Sequence, residues 1–303
     1  MNRRTFTQAL ATAALSAAAP QLPAASLRGA ASSQTAAPPF SLSVMLWTVF
    51  KGLPFEERLA KVAEAGYSNV ELVGEYRDWS EGDFARANAA RKRLNIKFDA
   101  TAGLAHGLAN PAERDAFLTE LRQALTPMET LGCPAMIVLS RDITPGLSRE
   151  AQHESCIETL KRAAAQIEGR QIDGQPVRLL LENIDPEENP KCYLTSVAEG
   201  IEIVRKVNHP QVQMLCDIYH EQIAEGNLIE KFEKHIDTIA LIHVADVPGR
   251  HEPGTGEINY ANIFRKLVQL NYRRMVAMEF YPTGDEVATL RAAKALAWSA
   301  SAV

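Results

Sequence analysis

Cysteine is scarce in this sequence: four residues in 303, Cys133, Cys156, Cys192 and Cys216, with no C-x-x-C pair among them. That argues against a disulfide scaffold, which a domain of this size does not need, and the four are expected as buried thiols. Runs of one positive sign are also missing. Arg3, Arg4 and Arg28 are the only charged residues among the first 36. Removing those three positive charges from the total of −5 leaves −8 over residues 37–303. A nucleic-acid surface needs clustered cations, so no nucleic-acid partner is expected. No segment after the N-terminal stretch approaches the ~20 apolar residues that cross a bilayer. A glycine-rich phosphate fingerprint is absent as well: the first strand is followed by Thr48-Val49-Phe50-Lys51-Gly52, the wrong chemistry for a dinucleotide fold.

What is present begins with an address. Asn2-Arg3-Arg4-Thr5-Phe6 precedes an apolar stretch, residues 9–19, then Pro20 and small residues such as Pro23-Ala24-Ala25-Ser26. This resembles a bacterial twin-arginine signal peptide with a low-complexity linker, and residues 1–39 are set apart from a single domain over 40–303. The resemblance implies export, to the periplasm, of a protein folded before it crosses.

From Ser41 onward, β-branched or apolar runs alternate with helical periodicity. Candidate strands are 42–47, 69–73, 97–100, 135–139, 178–183, 213–217, 239–244 and 275–280, and candidate helices include 55–65, 114–131 and 198–207. Eight strand-helix repeats over about 250 residues predict a (β/α)8 barrel.

Chemistry in such barrels sits at the carboxyl ends of the strands, so the residue closing each apolar run matters most. Leu179-Leu180-Leu181 ends in Glu182, and Gln213-Met214-Leu215-Cys216 ends in Asp217. Ala240-Leu241-Ile242 ends in His243, and Val276-Ala277-Met278 ends in Glu279. The spacings of 35, 26 and 36 residues are each about one strand-helix unit, so the four side chains should converge. Three carboxylates facing one another repel unless a cation sits between them. With one imidazole they form a nitrogen-oxygen set suited to one divalent cation, Mn²⁺, Mg²⁺ or Co²⁺, with positions left for substrate oxygens. No cysteine joins the set, which excludes a thiolate zinc site. Arg250 is a candidate for binding a carboxylate or hydroxyl at the barrel mouth, and Trp47 and Glu71 for walling the pocket. Gly254-Thr255-Gly256 reads as a turn before a helix capped by Asn259. His106, His153, His209, His235 and His251 lack a strand-end position and are read as ordinary polar residues.

The runs Leu181-Glu182-Asn183, Cys216-Asp217-Ile218-Tyr219-His220, Ala245-Asp246-Val247-Pro248-Gly249-Arg250-His251-Glu252-Pro253-Gly254-Thr255-Gly256-Glu257-Ile258-Asn259-Tyr260 and Met278-Glu279-Phe280 resemble the hydroxypyruvate isomerase family. That family belongs to the xylose-isomerase-like barrels, as do ketohexose 3-epimerases. The resemblance spans roughly 41–295, with its distinctive motifs in the second half. It implies that Glu182 and Glu279 are both cation ligands and the proton-transfer pair, that Asp217 is a ligand, and that His220 binds a substrate oxygen. Glu188 falls where several relatives place a substrate-contacting acid. Two positions depart from the pattern. His243 stands where hydroxypyruvate isomerases often have glutamine and the epimerases histidine, and Asn183 where proline is common.

The implied chemistry is isomerisation or epimerisation of a small carbohydrate or sugar acid. A carboxylate removes a proton next to a carbonyl, and a chelating cation stabilises the enediolate that forms. The same residues would serve a lyase acting on 3-keto-glycosides. An abasic-site endonuclease would call for more histidines and a basic face, and a non-catalytic sugar-binding protein for no metal. A homo-oligomer is left open.

Overall fold

A computed structural model describes residues 37–300. The expected signal segment therefore lies almost wholly outside the described residues, as does the end of the chain. Eight parallel strands close into a barrel: β1 (Ser41–Met45), β2 (Asn69–Leu72), β3 (Lys97–Thr101), β4 (Ala135–Leu139), β5 (Arg178–Glu182), β6 (Val212–Asp217), β7 (Ile239–Val244) and β8 (Met275–Met278). Each strand pairs with its sequence neighbours, and β1 closes the ring on β8 with Ser41 opposite Met275. The helices between them are α1 (Phe55–Glu64), α2 (Glu81–Arg93), α3 (Arg114–Leu131), α4 (Arg149–Ile167), α5 (Val197–Val207), α6 (Ile218–Ala224), α7 (Leu228–His235), α8 (Tyr260–Gln269) and α9 (Glu286–Ser299).

Strand limits fall within two residues of those read from the sequence, and the differences have local causes. Leu46 and Trp47 leave β1 for a 3-10 turn, Leu46–Thr48. β8 stops at Met278, so Glu279 sits just past its strand rather than within it. A small hairpin, Gln171–Ile172 against Gln175–Pro176, precedes β5 and was not anticipated. Asp173 and Gly174 at its tip both have positive φ, which fits a two-residue turn twisted like its strands.

The core has two layers. Most apolar side chains pack between strands and helices, in a cluster that includes Val44, Val70, Phe98, Leu179, Leu181, Met214, Ile242 and Val276. A smaller cluster, Met45, Ala100, Ala135, Ile137, Leu180, Leu215, Leu241 and Ala277, fills the barrel interior. Side chains alternate along a strand with a period of two. Leu180, Leu215, Leu241 and Ala277 therefore fix the face to which Glu182, Asp217, His243 and Glu279, each two residues later, also belong. All four cysteines are buried and free. Among the described residues no helix is long and apolar enough to cross a membrane.

Candidate metal centre and active site

The four strand-end residues converge. One ligand atom from each of Glu182, Asp217, His243 and Glu279 lies within 4.8 Å of all the others, and all four side chains are buried. His243 Nδ1 is 2.7 Å from Glu279 Oε2, 3.4 Å from Glu182 Oε1 and 3.9 Å from Asp217 Oδ2. Despite that proximity no carboxylate oxygen is aligned for a good hydrogen bond with Nδ1. A buried imidazole nitrogen ringed by carboxylate oxygens without a well-aligned partner is costly by itself, and the set is well suited to a shared divalent cation. A second group beside it, Asp185, Glu188 and His220, also brings its ligand atoms within 4.8 Å of one another, but Glu188 is exposed and His220 Nδ1 is taken by Asp185. Charge agrees with this fit: three carboxylates and the adjacent Arg250 guanidinium leave two negative charges.

Neighbouring groups fix each ligand. Asp217 caps α6, its Oδ1 accepting from the backbone N–H of Tyr219 (2.8 Å) and His220 (3.2 Å), which leaves Oδ2 to the cluster. Asn183 bridges β5 and β6: its Oδ1 accepts from Asp217 N at 3.1 Å and its amide donates to Glu221 at 3.3 Å. An asparagine where relatives favour proline thus serves as a buried strut. Trp47 Nε1 donates to Glu279 Oε1 at 2.8 Å, so Trp47 does reach the site. Glu71 does not wall the mouth as expected. It is completely buried, and its Oε2 accepts from His243 Nε2 at 2.8 Å, which places it behind the imidazole.

Arg250 lies at the centre of the mouth rather than on the surface. Its Nη2 is 2.8 Å from Glu279 Oε2 and 3.3 Å from Asp217 Oδ2, and its Nη1 is 3.0 Å from Glu188 Oε2. Glu188 thereby borders the site while remaining partly open to solvent. His220 Nε2 faces Arg250 Nη1 at 3.3 Å, and its Nδ1 bonds the buried Asp185 carboxylate.

Sequence reasoning missed Asp185 and Asp246. Asp185 also accepts from the backbone of Glu187 and Glu188, each at 2.8 Å, shaping the loop that delivers Glu188. Asp246, fully buried, accepts from the N–H groups of Val247, Gly254, Gly256 and Ile258. It folds the loop that carries Arg250. Gly256 is required there because a Cβ would stand 2.0 Å from Val247 O. Asp246 lay inside a recognisable motif, but its partners are backbone groups that no residue pattern displays. The expected turn and the Asn259 cap are both present, the latter accepting from Asn262 N.

The two glutamates sit in opposed environments. Burial pushes the Glu182 carboxyl up, helped by Glu279 and Asp217 and only partly offset by His243. Burial acts on Glu279 in the same direction, but Arg250, His243 and the Trp47 hydrogen bond hold it well below the usual range. One carboxyl inclined to keep a proton beside one inclined to stay ionised can pass a proton across a bound substrate.

A closed parallel barrel with acids and an imidazole gathered at its carboxyl end defines a class, the (β/α)8 enzymes that work at their strand ends. The chain belongs to the xylose isomerase-like TIM barrel family, whose model matches residues 59–301. It is 30% identical over 250 residues to a 2-oxo-tetronate isomerase of Haemophilus influenzae, covering 81% of this chain and 95% of that one. It is 28% identical over 254 residues to a hydroxypyruvate isomerase of Escherichia coli, covering 82% and 96%. A crystal structure of AP endonuclease, family 2, from Brucella melitensis superposes with a TM-score of 0.73 at 30% identity, covering 84% and 96%.

Proposed function

We propose that this protein is a divalent-cation-dependent isomerase or epimerase acting on a small sugar or hydroxy-keto acid. The observation that carries the reading is the convergence of Glu182, Asp217, His243 and Glu279 at one point. Similarity to isomerases of 2-oxo-tetronate and hydroxypyruvate supports the substrate class.

When bound, Mn²⁺, Mg²⁺ or Co²⁺ would polarise the substrate carbonyl and the hydroxyl beside it, making the intervening C–H acidic. The chain's own residues supply the rest. Glu279, held ionised, is placed to take a proton, and Glu182 to return one at another carbon or face. Arg250 presents N–H groups to substrate oxygens and its charge favours an enediolate over the neutral ketone, while His220, held by Asp185, lies beside it to contact a substrate oxygen. A DNA substrate, which the name of the Brucella neighbour would suggest, is disfavoured by the carboxylate of Glu188 at the rim and by the net negative charge.

The test is a screen of ketoses, sugar acids and 3-keto-glycosides in D₂O with each cation. The reading predicts deuterium at the carbon next to the carbonyl of an isomerised product. Release of an aglycone would move the protein to the lyases, and no proton exchange with any substrate would contradict both. We further propose export by the twin-arginine route. Arg3→Lys with Arg4→Lys should hold precursor in the cytoplasm, and normal export of that variant would refute the assignment.

A further inference from the structure

Charge of the opposite sign gathers at the other end of the barrel. Lys97 opens β3, Arg178 opens β5, and Arg273 and Arg274 immediately precede β8. With Arg91 of α2 they border a cavity of about 520 Å³ that reaches Ala100, Leu180 and Leu241 of the interior layer. The acids on its wall are Asp99, whose Oδ1 accepts from Ser43 Oγ at 2.7 Å, and Asp173, 3.9 Å from Arg91. Five cations against two acids leave three positive charges even with both acids ionised, in a chain whose net charge is negative. No run in the sequence displays this cluster, because closure of the sheet assembles it from separate strands.

Most of these cations are held in place without being neutralised. Arg274 Nη1 donates to the carbonyl oxygen of Ile239 at 2.7 Å, and Arg91 donates to Asn88 Oδ1 at 2.7 Å with its guanidinium over the Phe98 ring. Among the described residues Lys97, Arg178, Arg273 and Arg274 form no ion pair, and the Arg178 side chain has no hydrogen-bond partner. Arg178, Gln213 and Arg274 also border an adjoining cavity of about 360 Å³, so the two half-buried guanidinium groups share one wall. The period of two along β5 turns Arg178, like Leu180 and Glu182, to the barrel interior. A half-buried guanidinium that faces a like charge and no acceptor is costly, and burial and the Arg274 charge both pull the pKa of Arg178 down. An oxyanion supplies the missing charge and the missing acceptors together, in the paired geometry that the planar fork of arginine fits.

We propose that the amino end of the barrel binds a small multivalent oxyanion, a phosphate ester or a polycarboxylate, gripped by Arg178 and Arg274 with Lys97 and Arg273 at the rim and the Gln213 amide as a neutral donor. The cavity is of a size that encloses small molecules, roughly 300–1,000 Å³. Glu182 lies four residues after Arg178 on β5, roughly 13 Å away at the rise of a strand. The anion site is therefore distinct from the cation cluster and stands whether or not that cluster holds a metal.

The experiment uses the full chain with inorganic phosphate, succinate and, as a monovalent control, acetate, at one ionic strength and slightly alkaline pH. Phenylglyoxal modification of arginine, followed by peptide mass mapping, needs no substitution. Phosphate, succinate or both should protect Arg178 and Arg274, and acetate should not. Protection by phosphate alone assigns a phosphate ester, by succinate alone a polycarboxylate, and by both the chemistry the two share. Calorimetric titration with the protecting anion should show binding weakened roughly 10–100-fold in Arg178→Gln, as expected for loss of one charged hydrogen-bond donor, with circular dichroism to verify folding. Arg178 modified equally fast in all three anions would overturn the proposal. So would a folded Arg178→Gln that binds as the unaltered protein does, or protection confined to Arg250, which would put the anion at the carboxyl end instead.

Discussion

The two halves of the barrel contribute different things to one site. Strands β5–β8 each carry, at or next to their carboxyl end, a group that points into the cluster, Glu182, Asp217, His243 and Glu279. The first three strands contribute no member of that set. Trp47, just past β1, bonds Glu279, and Glu71 on β2 bonds His243. The second half thus supplies the donors and the first half holds two of them in place. A closed sheet makes this division workable, because β1 pairs with β8 and brings residues more than 200 positions apart in sequence into hydrogen-bonding distance.

The largest expected effect separates the halves directly. Glu279→Gln preserves size and a coordinating oxygen but removes the basic carboxylate, and turnover should fall roughly 10²–10⁴-fold. Trp47→Phe removes only the hydrogen bond to Glu279 and keeps an aromatic ring against Tyr281. Its loss should be far smaller, and steady-state kinetics on a confirmed substrate compares the two. Equal losses would mean that the first half does more than hold its partner, whereas near-full activity in Glu279→Gln would end the two-glutamate mechanism.

Legibility differed between the halves for a physical reason. In β5–β8 an apolar run stops at a single polar residue, and the period of two in a strand aims that residue into the barrel. Runs such as Leu179-Leu180-Leu181-Glu182 therefore announce both strand and site. Glu71 and Asp99 sit in Asn69-Val70-Glu71-Leu72 and Lys97-Phe98-Asp99-Ala100, where alternation reads equally well as a half-exposed strand. What makes them interior is closure of the sheet, with a register shift between Val70 and Glu71. The eight units and the four strand-end residues were legible. Arg250 was legible as a candidate, but its buried placement depends on Asp246 gathering backbone N–H groups from as far on as Ile258, which no spacing encodes.

A subtler effect concerns pH. Burial alone would lower the pKa of His243, but Glu279, Glu71 and Glu182 outweigh it and hold the value well above the ordinary 6.5. A proton on Nδ1 competes with a cation for the same lone pair. Apparent affinity for Mn²⁺ should therefore keep rising with pH beyond the range where a free histidine has finished titrating, with about one proton released per ion bound near neutrality. Calorimetry in buffers of different ionisation enthalpy measures that release. Affinity that levels off below pH 6.5 would show that His243 carries no such proton.

The most direct test of the account is elemental analysis of the purified protein beside Asp217→Ala and His243→Ala. One divalent ion per chain, lost or sharply reduced in both variants while the fold is retained, is the predicted result. Metal content unchanged by either substitution would contradict the site.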